Sequence, residues 1–190
     1  KMNALAPSDE EYLDSSVYSL AKQRIMWLLI LMISATFTGI IIRQYESVLS
    51  SVVILASFIP MLMDTGGNSG SQSSTLIIRG LALGELEIAD YPKIIWKEFR
   101  VSIVVGLVLA FINFLRIYLL ERVDFIVSLT VCISLFATVV LAKVVGGMLP
   151  LIAKKFKLDP AIMAAPLVTT IVDTFALMVY FSTATLLMGL

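Results

Sequence analysis

A chain of 190 residues, 59% hydrophobic and only 15% charged, with a mean hydropathy of +0.97, lies far from soluble domains, in which apolar residues make up roughly half and charged ones about a quarter. Its 14 basic and 14 acidic residues cancel, which argues against a nucleic-acid surface, and no like-charge run suggests a polybasic anchor. The single Cys132 excludes an internal disulfide or a thiolate metal site, and the absence of His removes the commonest transition-metal ligand. Any metal chemistry therefore rests on oxygen donors, which suit Mg²⁺ or Ca²⁺ rather than Zn²⁺ or Cu²⁺.

In chain order, residues 1–20 read as a lead-in on the cytoplasmic side. The first dozen are polar and acidic behind Lys1, so the expectation is a chain without a signal peptide, cut from a longer polypeptide. Ser8 with Glu11 has the form of a capping box and predicts a short helix over residues 9–19, a solvated linker being the alternative. Residues 21–190 then read as an all-α membrane domain of five spans, at residues 25–42, 48–82, 94–120, 125–153 and 161–190. Each reaches the length of about 20 residues that a bilayer requires. Lys1, Lys22, Arg24, Arg79, Lys93, Lys97, Arg100, Lys154, Lys155 and Lys157 fall on one side of these spans, and only Arg43, Arg116 and Arg122 on the other. The excess marks the cytoplasmic side, placing the amino terminus inside and the carboxyl terminus outside. An odd number of spans allows no simple two-fold internal repeat, so symmetry would come from a second copy of the chain.

The second span departs from lipid-facing composition, because Asp64 to Thr75 reads Asp-Thr-Gly-Gly-Asn-Ser-Gly-Ser-Gln-Ser-Ser-Thr. A stretch this polar belongs inside protein or along a water-filled cavity. Its length predicts either a kink near Gly66-Gly67 or a long tilted helix. Asn68 follows Asp64 by four residues, and Gln72 and Thr75 continue that face. Gly66, Ser69, Gly70 and Ser73 would permit close helix packing, which is the competing explanation for the small residues. It leaves the carboxylate and the amides unexplained.

Asp173 stands near the middle of the last span, where an ionised group is costly unless it faces a cavity or a partner. Thr169 and Thr170 lie four and three residues before it and Tyr180 seven after, so they form a polar stripe on an apolar helix. The structural alternative is an ion pair with Lys143, or a protonated carboxyl hydrogen-bonded across helices. Asp159-Pro160 reads first as a helix start and second as a carboxylate at the cytoplasmic mouth. Lys143 is expected to reach the cytoplasmic side or pair with a carboxylate, and Glu85, Glu87 and Asp90 to form a solvated turn. Mg²⁺ sheds its waters reluctantly and is held through few direct carboxylates. Were two chains to meet about a two-fold axis with their Asp173 side chains facing, mutual repulsion would favour a dication between them. No phosphate-binding Walker loop is present, and no enzymatic chemistry is expected.

These residues resemble the MgtE family of magnesium channels. The likeness rests on Pro60-Met61-Leu62-Met63 leading into Gly66-Gly67-Asn68-Ser69-Gly70-Ser71-Gln72-Ser73-Ser74-Thr75, and on Asp159-Pro160 followed by Pro166-Leu167-Val168-Thr169-Thr170-Ile171-Val172-Asp173. It implies a plasma-membrane homodimer of ten helices, its pore at the two-fold axis and lined by the second and fifth helices. Mg²⁺ would be held hydrated at Asp173 with Thr169 and Thr170, and Asp64, Gly66, Gly67, Asn68, Ser71, Gln72, Asp159, Pro166 and Tyr180 would line the path. It further implies Mg²⁺-sensing cytosolic domains outside these residues. Passage of Mn²⁺, Co²⁺ or Ca²⁺ stays open, as do two rival functions, a proton- or Na⁺-coupled exporter and a non-conducting assembly subunit.

Overall fold

The computed structural model describes Leu13 and residues 16–163 and 165–190. The expected capping residues Ser8 and Glu11 lie outside the described residues. Ser16 caps the first helix instead, its side-chain oxygen accepting from the Ser19 amide at 3.2 Å, and α1 (Val17–Gln44) runs unbroken through the first expected span.

After a single helical turn and a half, α2 (Glu46–Ser51), the chain tightens into a 3₁₀ segment (Val53–Phe58) before α3 (Ile59–Ala82). The second expected span is thus not one helix. Its break falls at Val52–Phe58, upstream of the glycines, and Pro60 sits in the first turn of α3, where its missing N–H leaves nothing unsatisfied. Gly66 and Gly67 lie inside a continuous helix, so the kink predicted there is absent. α4 (Tyr91–Leu115) follows a turn in which Glu87 and Asp90 form a capping box, and it ends in a π-helical turn (Arg116–Leu120). α5 (Phe125–Lys155) is capped by Asp124, which accepts from the Ile126 amide at 2.9 Å. A 3₁₀ turn (Pro160–Met163) and α6 (Ala165–Met188) complete the chain.

Among the described residues four stretches are long and apolar enough to cross a membrane, within Val17–Gln44, Ile88–Leu120, Phe125–Lys155 and Pro166–Met188. At 24 residues α3 has the length, roughly 36 Å, but its polar tract takes it out of that set. α3 lies against both α5 and α6, and α4 packs on α5. α1 leans on α6 and exposes apolar side chains such as Met32, Ile33 and Phe37 around its remaining surface.

Among the described residues three apolar clusters hold the bundle. One, at the end formed by the 3₁₀ segment and the π-helical turn, gathers Leu55, Phe58, Leu62, Ile117, Val131, Leu135, Leu177 and Phe181. A second joins Ile77 and Leu81 of α3 to Ile94 of α4 and Leu151 of α5. The third packs Ala142 of α5 against Val168 and Val172 of α6. Two polar side chains inside α5 are satisfied locally: Thr130 and Ser134 donate back to the carbonyls of Ile126 and Thr130 at 2.8 and 2.7 Å.

Candidate functional site

The polar tract of α3 divides into two faces. Gly66, Gly67, Gly70, Ser73 and Ser74 are buried, whereas Asp64, Asn68, Gln72 and Thr75 are exposed, one helical turn apart. The buried face exists because the neighbouring helices approach too closely for side chains. A Cβ at Gly66 would stand 2.7 Å from Thr138 Cγ2, one at Gly67 2.8 Å from Thr169 Cγ2, and one at Gly70 3.0 Å from the Ala142 carbonyl oxygen. Seating the glycines on α5 and α6 turns the carboxylate and amides outward. Gly66 and Gly67 therefore differ from the expectation that they line the path: they are packing positions, and their service to the site is to aim its side chains.

Beside this row, Asp173 is half-buried on α6, near enough for the charge of Asp64 to act on it. The two carboxylates come from positions more than a hundred residues apart and repel one another, an arrangement that favours a cation. Thr169 lies against Gly67 on the α3 side, while Thr170 lines a cleft with Ser34, Phe37 and Thr174 between α1 and α6. Both threonines donate to the Pro166 carbonyl, at 3.0 and 2.8 Å, so their oxygens keep lone pairs free to accept from water. Thr174 donates to the Thr170 carbonyl at 3.1 Å and meets Thr38 of α1 at 3.5 Å. Further along α3, Asn68, Ser71, Gln72 and Thr75 border an open cleft of about 660 Å³. The Ser71 hydroxyl is buried there with no hydrogen-bond partner among the described residues, a group that a water or a hydrated ion would satisfy.

Other expected residues are placed elsewhere. Tyr180 is fully buried, its ring against Phe181 and its hydroxyl donating to the Leu55 carbonyl at 2.9 Å. A side chain with no accessible surface in one chain cannot line a path between two, so Tyr180 is a core residue tying α6 to the 3₁₀ segment. Asp159 accepts from the Ala161 amide at 3.0 Å, as a cap does. It lies ahead of the 3₁₀ turn and of α6, fourteen residues before Asp173 in the chain. Lys143 neither reaches solvent nor meets a carboxylate: it is 5% exposed, and its ammonium points at Gln72 Oε1, 3.5 Å away. Glu98 was not anticipated. It accepts from Ser73 at 2.6 Å and packs on Gly147, behind the polar row. Its signal was a carboxylate seven residues into α4, hidden in the sequence among Lys97 and Arg100.

Among the described residues no three His, Cys, Asp or Glu side chains converge as a metal cage. One chain offers hydroxyls and amides along a cleft with two carboxylates near one another on α3 and α6, a set matched to an ion that keeps its water shell.

A family model described as a divalent cation transporter, MgtE, matches residues 59–183, from the start of α3 to the last turns of α6. The chain is 37% identical over 193 residues to the magnesium transporter MgtE of Thermus thermophilus, covering 99% of this chain and 41% of that protein. It is 36% identical over 172 residues to the protein of that name from Bacillus subtilis, covering 90% and 38%, and 26% identical over 186 residues to that of Enterococcus faecalis. The chain thus spans about two fifths of the length of the curated relatives it matches.

Proposed function

The chain belongs to the MgtE family of divalent cation transporters, and we propose that it is the membrane part of a Mg²⁺ channel in which the polar row of α3 and Asp173 of α6 form the wall of the ion path. The observation that carries this reading is the exposed row Asp64, Asn68, Gln72 and Thr75 on a helix within an apolar bundle. Lipid cannot solvate it, so water or a second polar surface must.

Two copies about a two-fold axis complete the path, each giving α3 and α6, with five spans per chain once α3 is counted. The amino terminus is cytoplasmic and the carboxyl terminus outside, in the plasma membrane. Mg²⁺ passes hydrated: Asp173 attracts it electrostatically, Asp64 adds charge one level beside it, and Thr169, Asn68 and Ser71 accept from or donate to its waters. Flow is downhill. A membrane potential of about 100 mV supplies a dication with roughly 4.6 kcal/mol for moving inward, so no coupled reaction is needed. Regulation resides in cytosolic domains of the same polypeptide.

The test is ion flux into liposomes. Asp173→Ala is expected to abolish Mg²⁺ flux or its selectivity while leaving the purified protein folded and its oligomeric state unchanged. Normal selective flux in that variant would overturn the assignment of Asp173. Flux that follows an opposing pH or Na⁺ gradient would replace the channel by a coupled exporter, and wild-type liposomes that admit no Mg²⁺ would leave an assembly subunit.

A further inference from the structure

One face of α4 is untouched by the site above. Lys93, Lys97 and Arg100, then Val101, Val104, Val108 and Phe111, succeed one another at helical spacing and are all exposed. Lys93 is engaged by Asp90 at 3.3 Å. Lys97 and Arg100 make no ion pair or hydrogen bond with any described residue. The carboxylate between them in sequence, Glu98, is turned the other way to Ser73, so their two charges stand uncompensated. They rim a cavity of about 460 Å³ whose other walls are Val101, Val104 and Val105. Trp96, 60% exposed, lies beside it on the charged side of the boundary. An aromatic at a sharp charged-to-apolar transition marks the depth of the lipid head groups.

We propose that this groove is a binding site for an anionic phospholipid, its head-group phosphate between Lys97 and Arg100 and one acyl chain along Val101, Val104 and Val108. A free phosphate would leave the valine walls uncovered. A second copy of the chain packed here about a two-fold axis would bring two such uncompensated cation pairs together. A lipid with a negative head group satisfies both halves of the groove at once, and Arg and Lys at this depth hold phosphate by charge and by their donors.

Native mass spectrometry of the purified protein with phosphatidylglycerol and phosphatidylcholine tests this. The wild type retains phosphatidylglycerol preferentially, and Lys97→Gln with Arg100→Gln reduces that preference about tenfold. Lys157→Gln, in the exposed turn after α5, leaves it unchanged. Thermal unfolding in phosphatidylcholine alone is the same for all three proteins, whereas phosphatidylglycerol raises the midpoint of the wild type and of Lys157→Gln only. Retention by the double variant, equal loss in Lys157→Gln, displacement of the lipid by inorganic phosphate, or a cross-link between copies at position 97 would each overturn the proposal.

Discussion

Replacing Gly146 by Ala puts one methyl group where α3 and α5 cross most closely. A Cβ there would stand 2.1 Å from the Gly70 carbonyl oxygen, 2.8 Å from its carbonyl carbon and 2.9 Å from its Cα. All three atoms are backbone, so no rotamer change relieves the clash, and the helices must separate by more than an ångström before the contact is ordinary. The same movement loosens the seats of Gly66 on Thr138 and Gly70 on Ala142, because rigid helices part along their length. Overpacking of this kind costs about 1–3 kcal/mol, and the better helix propensity of Ala returns up to about 1 kcal/mol. The net expectation is a loss of about 1–2 kcal/mol. Gly39 on α1 supplies the control, since a Cβ there meets nothing within 4 Å and Gly39→Ala keeps only the propensity gain. Thermal unfolding of the two variants in one detergent should order them as Gly39→Ala at or above wild type and Gly146→Ala clearly below. In liposomes Gly146→Ala should also slow cation flux, since α3 carries the polar row. Equal stability of the two variants would refute the glycine-seat account of how α3 is oriented.

Tyr180→Phe removes the bond to the Leu55 carbonyl without altering ring packing, and should lower unfolding stability by about 1 kcal/mol with no change in cation selectivity; altered selectivity would return Tyr180 to the ion path. Ser73→Ala and Glu98→Gln should each destabilise, and a double-mutant cycle on unfolding should give a coupling of about 1 kcal/mol or more, because both groups are held by one short bond; additive effects would show that the bond carries no energy. Asp64→Asn keeps size and removes charge, so the Mg²⁺ concentration for half-maximal flux should rise several-fold, less than for Asp173→Asn; an unchanged value would remove Asp64 from the ion's surroundings.

Much of this protein is legible without coordinates. Composition alone places it in a bilayer, runs of apolar residues locate α4, α5 and α6 to within a few residues and the end of α1, whose start lies eight residues earlier than expected, and the cost of burying charge singles out Asp173. The polar tract of α3 was visible for the same reason, but not its orientation. Helical spacing separates a face of Asp64, Asn68, Gln72 and Thr75 from one of Gly66, Ser69, Gly70 and Ser73, but it does not say which helices the small residues seat on. Which face is buried depends on how near α5 and α6 come, and that distance is set by Thr138, Val168, Thr169 and Val172, residues remote in sequence. The same limit hid the partner of Tyr180, which follows Asp173 by two helical turns and yet reaches a carbonyl 125 residues away. It also hid the pairing of Lys143 with Gln72 and of Glu98 with Ser73, whose partners lie on other helices. Transfer energy is a property of each residue and survives in the sequence. Close approach is a property of pairs, and only the packed bundle decided that the glycines of α3 seat on α5 and α6 while Asn68, Ser71, Gln72 and Thr75 border an open cleft.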